Sequence, residues 1–77
     1  MTKEQKRIIN DNMYEIKAGY LKSYCPGLSS KQFNDILKLY NELNPLDIKR
    51  YTNTCGSCVV DLLKKLGRIL EKENMLL

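Results

Sequence analysis

Cys55-Gly56-Ser57-Cys58 is the segment of this 77-residue chain whose residue types and spacing could do chemistry. It follows Thr52-Asn53-Thr54 and precedes the longest apolar-periodic stretch. Three readings compete. Thiols three residues apart share one helical face, and here that face continues into Leu62 and Leu66, so both can pack as small hydrophobes. A thiolate at a helix N-terminus is stabilised by unpaired amides and the helix dipole, which would make Cys55 a redox nucleophile and Cys58 its resolving partner. A thioredoxin-type site, however, needs a strand and a βαβ unit around the pair, and no run here reads as a strand. Finally, Cys-x2-Cys is half of a zinc site that wants four ligands. Cys25 is the third and last thiol and histidine is absent, so zinc would require a carboxylate or a second chain. A disulfide from Cys25 to one of the pair is open only if the protein meets oxidant. Packing is the expectation, with no resident cofactor.

Charge offers a second possibility. Thirteen basic residues against nine acidic give a net charge of +4 and a pI of about 9.0. Lys64, Lys65, Arg68 and Lys72 lie on the polar side of the last helical pattern, with Lys49 and Arg50 just before it. Such a stripe could contact phosphates, and Asn53, Thr54 and Ser57 at a helix N-terminus could hold one. The alternative is a solvated face that keeps the domain in solution. A helix-turn-helix is excluded by spacing, because the link from Leu43 to Thr54 is too long for its short turn.

The elements that must position these residues read as helices. Thr2-Lys3-Glu4-Gln5 has capping-box spacing, and Ile9, Met13, Ile16 and Tyr20 follow on one face, widened by Ile8 and Leu21. Gly19 is a weak point, and Cys25-Pro26-Gly27 ends the segment. Ser29 caps a second helix with Gln32 at N3 and Leu28 and Phe33 as a hydrophobic staple. Its apolar face is Phe33, Ile36, Leu37, Tyr40 and Leu43. Asn44-Pro45 closes it and can open a short helical turn anchored by Leu46 and Ile48. Thr52-Asn53-Thr54 caps the third helix, whose stripe is Val59, Leu62, Leu63, Leu66, Ile69 and Leu70. It is expected to fray near Asn74. The predicted fold is all-α, one domain over residues 1–77: three helices with a short extra turn between the second and third.

No signal peptide and no apolar run of membrane-spanning length is present, which with the odd cysteine count predicts reduced thiols in a cytoplasm. A chain this small buries a limited core, yet three amphipathic helices, several methionines and the tail Met75-Leu76-Leu77 must be covered. Such an apolar surplus implies an interface. The expectation is a non-enzymatic protein-interaction module meeting a protein partner or a second copy, with Tyr51, Cys55, Cys58, Met75, Leu76 and Leu77 as contacts. A nucleic-acid-binding module using the basic positions is the alternative, and a Cys-x2-Cys thiol or zinc protein the next.

Residues 33–70 carry Phe33-x-x-Ile36-Leu37-x-Leu39-Tyr40-x-x-Leu43, a polar stretch, then Thr52-x-Thr54-Cys55-x-x-Cys58 leading into a Leu/Lys-rich helix. This arrangement resembles small uncharacterised helical proteins of tailed bacteriophages with AT-rich hosts. The resemblance implies an accessory or virion-associated protein and carries no catalytic residue, cofactor or established site.

Overall fold

The computed structural model describes residues 1–53 and 56–76. Among them are four helices and no strand: α1 (Lys3–Asp11), α2 (Met13–Lys22), α3 (Ser30–Leu43) and α4 (Gly56–Lys72). The all-α reading holds. The helix count differs because the first segment breaks at Asn12.

Asn12 explains that break. It sits on the apolar stripe, so its amide enters the core, where the residue is 4% exposed. A buried amide must be hydrogen-bonded. Its Nδ2 donates to the Ile8 carbonyl at 2.8 Å, and its Oδ1 accepts from Gln32 Nε2 at 3.3 Å. Competition of this kind between side chain and backbone bends helices, and Asn12 departs from helical geometry at φ −119°, ψ 17°. The bend lays α1 along α3 in antiparallel fashion, with Gln5 donating to Glu42 at the far end. Both predicted capping boxes are formed, Thr2 with Gln5 and Ser29 with Gln32.

The core lies where α2, α3 and the stripe of α4 meet. Ile16, Ile36, Leu39, Leu62, Leu63, Leu66 and Leu70 are fully buried, each stabilising the fold by about 1.5–3 kcal/mol. Leu39 joins them although it lies outside the predicted face of its helix. Helices α2 and α4 pack at glycines. A β-carbon on Gly19 would fall 2.4 Å from Leu63 Cβ, and one on Gly67 2.4 Å from Tyr20 Cγ. Gly19 is therefore a seat for Leu63 as well as a poor helix former. Tyr20 closes the contact by donating to Glu71 at 2.9 Å.

Residues 44–53 form no helix. Asp47 N–H donates to the Asn44 carbonyl in a turn, but Leu46 is fully exposed and Ile48 is 52% exposed, so neither anchors it. Polar side chains hold the segment instead. Asn41 donates to the Lys49 carbonyl at 3.0 Å and accepts from its amide at 2.8 Å. Tyr40 donates to Asp47, Tyr51 to Asp61, and Asn53 to the Leu28 carbonyl.

The C-terminal end of α4 is capped. Asn74 adopts the left-handed region at φ 57°, its amide donates to Glu71, and the Met75 amide donates to Leu70. This is a Schellman arrangement, and it turns Met75 and Leu76 back against the core.

Candidate functional site

The cysteine cluster is the first site to place. Cys58 is half-buried at the start of α4 and Cys25 is exposed; Cys55 lies outside the described residues, as do Thr54 and Leu77. Cys25 reaches the first turn of α4, since a β-carbon on Gly56 would stand 3.8 Å from its sulfur. Cys25 lines a depression of about 450 Å³ with Ser57, Val60, Asp61 and Lys64. Among the described residues no group of three or more histidine, cysteine or acidic side chains is arranged to hold a metal ion.

The basic positions do not share one face. Lys64 turns toward the Cys25 depression. Lys65, Arg68 and Lys72 line a separate depression of about 220 Å³ with Tyr40, Asn44, Asp47 and Ile69. Lys49 pairs with Asp47 at 3.0 Å and Lys65 with Asp61 at 3.5 Å, while Arg50 is exposed on the connecting segment. The stripe read from the sequence is thus divided, and three of its six cations converge.

Two tyrosines brace this region. The Tyr51 hydroxyl is pushed up to about 12, first by its hydrogen bond to Asp61 and then by burial. Asp61 is correspondingly held below the usual carboxylate range by Tyr51 and Lys65. Burial pushes Tyr40 up to about 12, with Asp47 adding to the shift. These protonated phenols tie a loop to a helix. Of the predicted contact residues, Tyr51, Met75 and Leu76 pack against the core.

A further opening, mostly apolar, lies on the far side of α2, outside the contact residues predicted from the sequence. Tyr14, Lys17, Ala18, Leu21, Lys22 and Tyr24 line a groove of about 570 Å³. Tyr14 is 77% exposed, Leu21 63% and Tyr24 59%. Leu21, expected to widen the core face, points outward instead. Ala18 is the buried floor. The end of α2 builds the wall above it: Ser23 takes the left-handed region at φ 53° and its amide donates back to the Ala18 carbonyl, as does that of Tyr24 at 3.1 Å. None of the lining residues is acidic. The signal that could have found the groove is the Tyr14, Lys17, Ala18, Leu21 stripe, a second helical face opposite the core-facing Ile16 and Tyr20.

Compared with protein-family models, curated proteins and solved structures, the chain matches none of them. No described helix is long and apolar enough to cross a membrane.

Proposed function

We propose that this chain is a non-enzymatic helical interaction module that docks on a protein partner through the outer face of α2. The observation that carries the reading is the exposure of Tyr14, Leu21 and Tyr24 around the α2 groove while Met75, Leu76 and Tyr51 pack internally. Large side chains left in water next to an otherwise closed core cost solvation free energy, and contiguous apolar surface of this kind marks binding sites. Tyrosine suits such a face, since its ring buries area and its hydroxyl remains satisfied. This reading favours α2 over the third predicted helix and the tail as the contact surface. The likeness to small tailed-phage proteins makes an accessory or virion-associated component, cytoplasmic or carried in a particle, the setting for this role.

Site-specific photocrosslinking in the cells that express the protein tests it. A photoreactive residue at position 21 or 24 gives a discrete adduct, and one at Lys38, on the exposed side of α3, gives none. Adducts from position 38 alone, or from no position, overturn the reading.

A second reading rests on the convergence of Lys65, Arg68 and Lys72, which suits phosphates of a nucleic acid. Phosphate contacts are strongest at low salt, so failure to bind DNA or RNA at about 50 mM salt eliminates it.

A further inference from the structure

We infer that the α2 groove receives an acidic amphipathic helix of the partner protein. One bulky aliphatic side chain sits on Ala18 between Tyr14, Leu21 and Tyr24, and carboxylates meet Lys17 and Lys22. The inference rests on the docking reading above and assigns the chemistry of the occupant.

Three observations select it. The first is charge. The groove is walled by two lysines and no carboxylate, on a chain of net charge +4. An acidic segment complements this field and is steered into it, whereas a second copy docked face to face would set Lys17 and Lys22 against their own counterparts.

The second is shape. Tyr14 and Leu21 are seven residues apart, about 10 Å along the helix axis, which matches the spacing of anchors two turns apart, at i and i+7, on a docked helix. A single strand of nucleic acid uses aromatic rings as successive stacking platforms. Here one tyrosine comes from the first turn of α2 and the other from just past its cap, ten residues on, and the lining they share with Leu21 and the small aliphatic floor of Ala18 is a surface for an alkyl group.

The third is construction. The wall at Tyr24 is held by backbone hydrogen bonds to the Ala18 carbonyl, and the inner face of α2 is locked on α4 through Gly19 and Gly67. The backbone that carries the groove is therefore set before its ligand arrives, which confines the ordering cost of binding to side chains.

The test titrates the 15N-labelled full chain with a synthetic amphipathic peptide of about 16 residues, long enough for three to four helical turns, with leucines on one face and glutamates flanking them. A second peptide replaces every glutamate by glutamine. Amide shifts confined to Tyr14, Lys17, Ala18, Leu21, Lys22 and Tyr24, with the glutamine peptide binding about fivefold more weakly, support the inference; that ratio is the scale of two partly screened ion pairs. Lys17→Gln with Lys22→Gln should remove the difference between the peptides. Leu21→Glu, at an exposed position, should abolish both interactions while leaving the melting temperature unchanged. Equal affinity for the two peptides overturns the acidic assignment and leaves the docking face standing. Silence toward both peptides overturns the inference, and the crosslinking result then decides the docking face separately. Shifts at the same six amides produced by oligothymidine or by phosphatidylglycerol vesicles, with the peptides silent, overturn it in favour of those ligands.

Discussion

The inner face of α2 presents Ile16, Gly19 and Tyr20 to α4; the outer face presents Tyr14, Lys17 and Leu21 to solvent, with Tyr24 just past the cap. The two faces belong to one ten-residue helix and have similar apolar content. What separates them is the presence of a partner stripe. The apolar stripe of α4 is packed on one side of α2, and among the described residues no further helix covers the other. The hydrophobic content of a short helix therefore states how much surface wants burial, and the remaining inventory of the chain states how much is buried at home.

The sharpest way to break this comparison is to truncate one apolar residue on each face. Ile16 is fully buried, so Ile16→Ala should cost about 2–5 kcal/mol through lost transfer and a residual cavity. Leu21→Ala should stay within about 0.5 kcal/mol, as exposed substitutions do. Urea denaturation of both variants measures the difference. Similar losses at the two positions would mean that the outer face is covered within the chain.

Gly19 and Gly67 sharpen it further. At an exposed helical site, glycine to alanine gains about 1 kcal/mol of helix propensity. Here the added methyl meets Leu63 or Tyr20 at 2.4 Å. For Gly67→Ala and for Gly19→Ala we expect overpacking, which costs about 1–3 kcal/mol, to outweigh that gain and leave a net loss of up to about 2 kcal/mol, seen as a lower urea midpoint. A gain in either variant would show that the helices can separate without penalty and that the close approach does not define the inner face.

Much of this arrangement was legible in the sequence where a local rule decides it. Thr2 with Gln5 and Ser29 with Gln32 formed the capping boxes their spacing predicts, because capping needs only residues three apart. The stripe of α4 from Val59 to Leu70 was readable because it is long and periodic. The rest depends on who the neighbour is. Asn12 bends the first segment because Gln32, twenty residues away, completes its hydrogen bonds. Leu46 and Ile48 look like anchors, but Asn41 fixes that segment through backbone groups of Lys49. The six cations were one stripe only on a bare helix; in the fold Lys49 and Lys65 find carboxylates and Lys64 turns to another depression. The groove on α2 escaped because Leu21 fits a core face and an outer face equally well by periodicity.

The Tyr51–Asp61 hydrogen bond tests whether the long connection depends on polar ties rather than on apolar anchors. Asp61 is held below the ordinary carboxylate range by Tyr51 first and Lys65 next. Its contribution is therefore present above that range and lost as pH falls through its folded value. Tyr51 is raised to about 12, so its contribution is present below the ordinary tyrosine value near 10 and lost as pH climbs toward 12. Tyr51→Phe should remove the alkaline limb and shrink the acid limb to the part that Lys65 sustains. At neutral pH it should cost about 1 kcal/mol, a hydrogen bond to a charged group discounted for the exposure of Asp61. Chemical denaturation of the two proteins at pH 3, 7 and 11 measures this; curves that stay parallel would detach the hydrogen bond from stability.

The smallest effect concerns the wall of the groove. Ser23 and Asn74 both sit in the left-handed region, at φ 53° and 57°, a conformation that costs an L-residue about 1–2 kcal/mol relative to glycine. Asparagine tolerates it better than serine, so the two positions are not equivalent. Ser23→Gly should stabilise by about 0.5–1 kcal/mol, the relieved strain less the added freedom of the unfolded chain. For a chain of this size that raises the melting temperature by roughly 2–8 °C. Asn74→Gly should gain less. The consequence for the outer face follows from the hydrogen bonds that Ser23 and Tyr24 make to Ala18. If the strained cap is what holds Tyr24 over the groove, Ser23→Gly firms that wall, and amide exchange at Tyr24 should slow relative to exchange at Tyr20 on the inner face. A gain in melting temperature with Tyr24 exchange unchanged would mean that the cap ends the helix without shaping the groove, and that the two faces of α2 differ only in what lies opposite them.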